Sequence, residues 1–296
     1  MPALPRNLLK EIRRLQLRAR WVVRSSLAGE YRSAFKGTGL SFDEVREYQP
    51  GDDVRRIDWN VTARVGMPFV KSFIEERELT VLLAVDVSAG MRFGTGPTTK
   101  RSVAAEIAAV LAVCAAGHND RVGFLAFSDR IERSLRPAKG GSHLLAVLRE
   151  CLHFTPEHPG TDPTAAWETI ARVYRRRAIV VLIGDFLGPL PEDLFRLIAR
   201  RHETIAIRIR DQREADWPPV GLVRLRDLES GEERLIDTSS GPFRSEFHKR
   251  QRDRDRDFES LCQRCRVDRV ELDTSGDHFD RLREYFHSRD RRTARR

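Results

Sequence analysis

Long apolar runs are missing from this chain. The longest helix-like one, Ile107 to Ala116, covers ten residues, against roughly 20 for a bilayer-crossing helix. The start, "MPALPRNLLKEIRRLQLRAR", has charges where a secretory signal has its apolar centre, so no leader is expected. Cysteine is scarce too: four in 296 residues, scattered along the chain. That excludes a disulfide scaffold and fits a reducing, cytoplasmic setting. Cys262 and Cys265 make one CxxC, but no second pair or nearby histidine pair completes a zinc site, and the spacing suits two half-buried cysteines on one face of a helix. Lysine is rare, at six of 53 basic residues: Lys10, Lys36, Lys71, Lys100, Lys139 and Lys249.

The usual catalytic signatures are also missing. "GTGPTTKR" has glycines and a lysine but not the spacing of a P-loop, and no HExxH occurs. Ser88 lacks the leading glycine of a G-x-S-x-G elbow. A non-enzymatic protein is therefore the favoured reading. A metal-dependent hydrolase whose ligands assemble only in space is the alternative.

The net charge is +9, but its distribution matters more. Residues 1–24 carry +6 and residues 289–296 carry +4, leaving −1 for everything between. A nearly neutral body without an aromatic-interleaved basic strand or zinc finger does not favour nucleic-acid binding. The basic ends leave nucleic acid or an anionic membrane as a further alternative.

Segment 1–28 reads as a basic amphipathic helix, with Leu8, Ile12, Leu15, Ala19 and Val22 or Val23 at helical spacing. Such a helix packs on its own domain, lies on anionic lipid or docks onto a partner. Segment 29–78 has turn signals at Gly37-Thr38-Gly39, Pro50-Gly51-Asp52 and Val65-Gly66-Met67-Pro68, with short mixed runs between them. It reads as a small β-rich appendage. Asp52, Asp53 and Asp58 alternate there with Arg55 and Arg56, the pattern of a local ion-pair network. From 79 to 288, apolar strands such as "LTVLLAVDVS" and "AIVVLIGDF" alternate with amphipathic helices. Strands without polar alternation imply a mostly parallel sheet covered on both faces, a doubly wound α/β fold. "GLVRLRDLESGEERLIDT" reads as a hairpin turning at Glu229-Ser230-Gly231, and 289–296 as a disordered basic tail.

In open α/β sheets, ligands gather at the carboxyl ends of the strands. Asp86 and Ser88 fall there in "DVSAG", Asp185 follows "AIVVLIG", and Thr161 precedes a helix in "HPGTDPTAAW". Singly, each has a structural use: strand-end carboxylates can accept backbone N–H groups, and Asp162-Pro163 makes a good helix start. Together, two carboxylates and two hydroxyls are the oxygen donors that Mg²⁺, or Mn²⁺ or Ca²⁺, prefers. Thr164 is the reserve should Thr161 point elsewhere.

These residues resemble the metal-ion-dependent adhesion site of von Willebrand factor A domains: Asp-x-Ser-x-Ser, a threonine in a middle loop, and an aspartate after a later central strand. Asp86 and Ser88 match the first part, Thr161 the second and Asp185 the third. The third motif serine is Gly90 here, which has no hydroxyl. The resemblance implies a metal on Asp86, Ser88, Thr161 and Asp185, with one position left for a partner's carboxylate.

"REYQPGDDVRRIDWNVTAR", with "VKSFIEERELT" leading into the strand of Asp86, is similar to the bacterial domain-of-unknown-function family 58. That family joins such a segment to a von Willebrand A-like, Rossmann-type domain; Ser41 departs from it, where glutamate is expected. The resemblance implies an adaptor that works with a MoxR-type AAA+ ATPase in chaperone-like remodelling or assembly of a client protein.

Overall fold

A computed structural model describes residues 6–23, 31, 35, 41–74, 78–276 and 278–293. The chain divides into a larger unit, Met1–Ala34 with Thr80–Arg296, and a smaller one, Phe35–Leu79. The appendage was expected over 29–78; the smaller unit spans Phe35–Leu79, and residues 29–34 fall with the first helix in the larger one.

In the smaller unit, β1 (Ser41–Glu47) pairs antiparallel with β2 (Phe69–Ile74). Between them lie a 3₁₀ turn (Val54–Arg56) and α2 (Trp59–Val65). Asp53 accepts from Arg55 N and Asp58 from Asn60 N and Val61 N, so both carboxylates satisfy open helix starts. Gly66, at φ 78°, closes α2 in the left-handed region where a side chain is disfavoured. The expected ion-pair network is therefore partly replaced by capping. Asp52 does pair, in a two-pronged contact with Arg46 at 2.6 and 2.9 Å. This holds the Asp52 carboxyl below its usual range.

The larger unit is built on β3 (Thr80–Asp86), β4 (Arg121–Phe127), β5 (Ile131–Ala138), β6 (Ile179–Gly184), β7 (Glu203–Arg210) and β10 (Asp268–Asp273). Their order is β10-β7-β6-β3-β4-β5, all parallel except β5, which runs antiparallel along β4. Six of seven β3 residues and all six of β6 are buried, as expected of strands covered on both faces. On one face, α5 (Thr164–Val173), α6 (Glu192–Arg201) and α8 (Gly241–Cys265) bury Trp167, Phe195, Phe258 and Leu261 against Leu82, Leu125 and Leu182. Cys262 and Cys265 belong to this core, and burial pushes the Cys262 thiol up to about 12. They pack as apolar side chains.

The other face is covered by α3 (Lys100–Gly117), flanked by α1 (Arg6–Val22), α4 (Gly141–His153) and α9 (His278–Thr293). The basic helix α1 turns Ala19 and Val22 inward, and Arg18 meets Glu106 at 2.8 Å. Helix α9 runs through Thr293, which corrects the tail expected to be disordered over 289–296. Arg289 pairs there with Glu203 and Asp268, acids at the starts of β7 and β10. Residues 294–296 lie outside the described ones. The expected hairpin is present as β8 (Leu222–Arg226) and β9 (Glu233–Asp237). Among the described residues, no helix is long and apolar enough to cross a membrane.

Candidate functional site

From β3 the chain goes to β4 on one side of the sheet, and it returns as β6 on the other. The carboxyl ends of β3 and β6 therefore flank the crevice where strand order reverses, the place where open α/β sheets bind ligands. Asp86 is the last residue of β3, and Asp185 follows β6 directly. They are 4% and 3% exposed.

Asp86 Oδ1 accepts from Ser88 N at 2.8 Å, which fixes the turn out of the strand. Burial, and then the charge of Asp185, push the Asp86 carboxyl up to about 7. Two carboxylates facing each other in a dry crevice lack a full counter-charge, so one of them holds its proton tightly. Ser88 is fully buried, and its Oγ lies against the Asp86 carboxylate without a well-formed hydrogen bond. A Cβ on Gly90 would lie 3.3 Å from Asp185 Oδ2 and 4.0 Å from Ser88 Oγ. Position 90 thus faces the same space, and a hydroxyl there would enter it. Asp86, Ser88, Gly90 and Asp185 come together.

Thr161 stands at the margin. With Asp86, Gly184 and Trp167 it lines a cavity of about 20 Å³, room for roughly one water. Its Oγ1 donates to Glu229 Oε1 at 2.5 Å, at the tip of the β8–β9 hairpin. Thr164 is the first residue of α5, and its backbone N donates to Asp162 Oδ1 at 2.9 Å. Asp162 thus fills the helix-start role read from the sequence.

Lys100 was not anticipated. It opens α3, is 1% exposed, and donates to Asp185 Oδ2 at 2.6 Å and to Glu214 Oε1 at 2.5 Å. Burial alone would lower the lysine pKa, but the carboxylates of Asp185 and Glu214 outweigh it and raise it. The ammonium is a fixed charge. Glu214 is itself held in a capping box at the start of α7 (Gln212–Ala215), with Asp211 N donating to Glu214 Oε2 at 3.1 Å. Asp211 in turn accepts from Thr95 N, Thr95 Oγ1 and Thr274 Oγ1 at 3.0, 2.7 and 2.6 Å. One signal for Lys100 was present in the sequence: a lysine in an arginine-dominated chain, at a helix start after "GTGPTT". An ammonium is compact and rotatable where a guanidinium is a broad fork.

The donor set suits a hard divalent cation in one half and less in the other. Asp86 and the buried Ser88 Oγ, which makes no well-formed hydrogen bond, offer oxygens to the crevice. Asp185 already accepts from Leu187 N on Oδ1 at 3.1 Å and from Lys100 on Oδ2. Against the +1 of Lys100 stand Asp86, Asp185 and Glu214, so the fully ionised cluster is acidic. Among the described residues, no three His, Cys, Asp or Glu side chains form a metal cluster. Any cation would therefore depend on hydroxyl ligands as well.

A family model described as "Protein of unknown function DUF58" matches residues 44–257. The chain belongs to the DUF58 family. It is 37% identical over 228 residues to the uncharacterized protein Rv1480 of Mycobacterium tuberculosis, spanning 76% of this chain and 72% of that one. Mb1516 of Mycobacterium bovis matches with the same figures. Among solved structures, BatB from Bacteroides thetaiotaomicron aligns over 72% of this chain and 99% of its own, at 14% identity and TM-score 0.44. The SpRpn10 VWA domain aligns over 70% and 94%, at 12% identity and TM-score 0.36. The DUF58 family and the mostly parallel, doubly wound sheet are those that the sequence implied.

Proposed function

We propose that this DUF58 protein is a non-enzymatic adaptor that grips a partner's carboxylate through a divalent cation, Mg²⁺ or else Mn²⁺ or Ca²⁺, at the β3/β6 crevice. The observation that carries the reading is Ser88 Oγ, buried against the Asp86 carboxylate without a well-formed hydrogen bond, while the proton affinity of that carboxylate is raised. A buried hydroxyl costs free energy unless something meets it. When bound, the cation supplies a Lewis-acidic position for an incoming carboxylate oxygen. Asp86 and Ser88 orient and hold it, and the surrounding apolar wall of Phe127, Trp167 and Phe186 limits competing water. As the sequence resemblance implies, the partner is a MoxR-type AAA+ ATPase, which supplies the energy for remodelling a client protein in the cytoplasm.

The test is a pull-down from native lysate with Mg²⁺, with chelator, and with Asp86→Ala. Recovery of an AAA+ ATPase only with Mg²⁺ and intact Asp86 supports the adaptor role and the metal together. Equal recovery in all three removes the metal from the interaction, and no ATPase in any of them removes the partner.

One observation favours an added membrane contact. On the outer side of α1, Leu17 and Trp21 are 65% and 71% exposed, one turn apart and among the exposed Arg13, Arg14 and Arg20. A tryptophan and leucine ringed by arginine suit the surface of an anionic bilayer. Flotation of the full chain with phosphatidylserine vesicles should be lost in Leu17→Ser/Trp21→Ser. Flotation unchanged by that pair removes the contact.

A further inference from the structure

The strand-end site contains a cation of its own. Lys100 Nζ lies 2.6 Å from Asp185 Oδ2, the same oxygen that a Cβ at Gly90 would approach at 3.3 Å. Gly90 does not need its glycine backbone, because its φ lies outside the range that side chains avoid. A Cβ at 3.3 Å is tighter than ordinary contact, so a serine there needs Asp185 Oδ2 to give by a few tenths of an ångström, and its hydroxyl would compete with Lys100 for that oxygen.

We propose that Lys100 has taken over at Asp185 the place that the third motif hydroxyl leaves open. Asp185 is then an outer carboxylate held by Lys100, and Asp86 and Ser88 are the residues that meet a bound cation directly. The second half of this inference rests on the metal reading proposed above; the first half does not.

Three features carry it. Both Asp185 oxygens are engaged, Oδ1 by Leu187 N and Oδ2 by Lys100, whereas Ser88 Oγ makes no well-formed hydrogen bond. The lysine's anchorage is built rather than incidental. Its backbone N donates to Phe93 O at 2.9 Å, and its second carboxylate, Glu214, is locked by the capping box with Asp211. The pair is also dry, with side chains 1% and 4% exposed. A charge buried at that depth persists only when paired. A fixed ammonium against Asp185 also repels a divalent ion from that side, so the cation shifts toward Asp86 and Ser88 and is held more weakly.

The experiment uses the full chain as wild type, Gly90→Ser, Lys100→Met, Gly90→Ser/Lys100→Met and Lys100→Met/Asp185→Asn. Thermal unfolding in chelator is the first readout, and calorimetric titration with Mg²⁺ the second. In chelator, Lys100→Met should melt well below wild type, and adding Asp185→Asn should restore part of the loss by neutralising one of the two orphaned carboxylates, Glu214 being the other. With Mg²⁺, Gly90→Ser alone should leave affinity unchanged, while the Gly90→Ser/Lys100→Met double variant should bind about ten- to hundredfold tighter. If Gly90→Ser alone gives the full gain, Lys100 does not guard Asp185 and the exchange of roles is overturned. If Lys100→Met/Asp185→Asn is no more stable than Lys100→Met, the Lys100–Asp185 clamp is overturned. An absence of Mg²⁺ binding in every variant overturns the metal reading, and the chelator arm still decides the clamp.

Discussion

Asp86 ends β3 and Asp185 directly follows its parallel neighbour β6, both equally buried, yet they have different company. Asp185 has a buried ammonium at 2.6 Å. Asp86 has a backbone N–H, a like charge close by and a hydroxyl that makes no well-formed hydrogen bond. The topology treats the two alike; the counter-charge separates them. One half of the crevice is neutralised from within and contributes to the fold, and the other half is where we propose that a cation binds. A strand-end carboxylate is thus a site only when its own chain has not already answered it.

Removing the ammonium is the sharpest way to break that contrast. Lys100→Met should cost about 3–5 kcal/mol of stability in chelator, because it leaves a buried carboxylate unpaired; urea unfolding measures it. The opposite change on the other side should have the opposite sign. Asp86→Asn keeps the acceptor for Ser88 N but removes one of two facing charges. It should therefore stabilise the metal-free protein at neutral pH by about 1–3 kcal/mol. The sign follows from the raised carboxyl. Wild-type Asp86 loses stability for the fold as pH rises from 3.8 to about 7, where the unfolded chain ionises first. The advantage of Asn should grow over that window, and urea midpoints at several pH values show whether it does. A smaller effect is expected at the margin of the site. Thr161→Val, which breaks the contact with Glu229, should cost at most about 1 kcal/mol. Arg18→Ala, at an exposed pair holding α1, should cost about 0.2–1 kcal/mol in urea unfolding.

The central strands were legible because β3 and β6 are buried on both faces and leave no polar alternation to confuse the reading. The ends of those strands therefore marked Asp86 and Asp185 correctly as neighbours. β5 was not seen. As "IERSLRPA" on an exposed antiparallel edge, with only partial burial along its length, it has the texture of a loop. The terminal helix was cut short at 289 for a related reason. A run of arginines looks solvated until Glu203 and Asp268, far away in sequence, are placed beside Arg289. Lys100 was hidden in the same way. Its partners Asp185 and Glu214 lie 85 and 114 positions onward, and only the fold brings them to the start of α3. Local chemistry was readable and long-range charge pairing was not.

The most direct measurement is a calorimetric titration of Mg²⁺ into the full-length protein at neutral pH, run beside Asp86→Asn. Saturable binding of one ion in the wild type, abolished by a substitution that leaves the fold at least as stable, is the expected result. Equal binding in both proteins, or none in the wild type, would contradict a cation site built on Asp86.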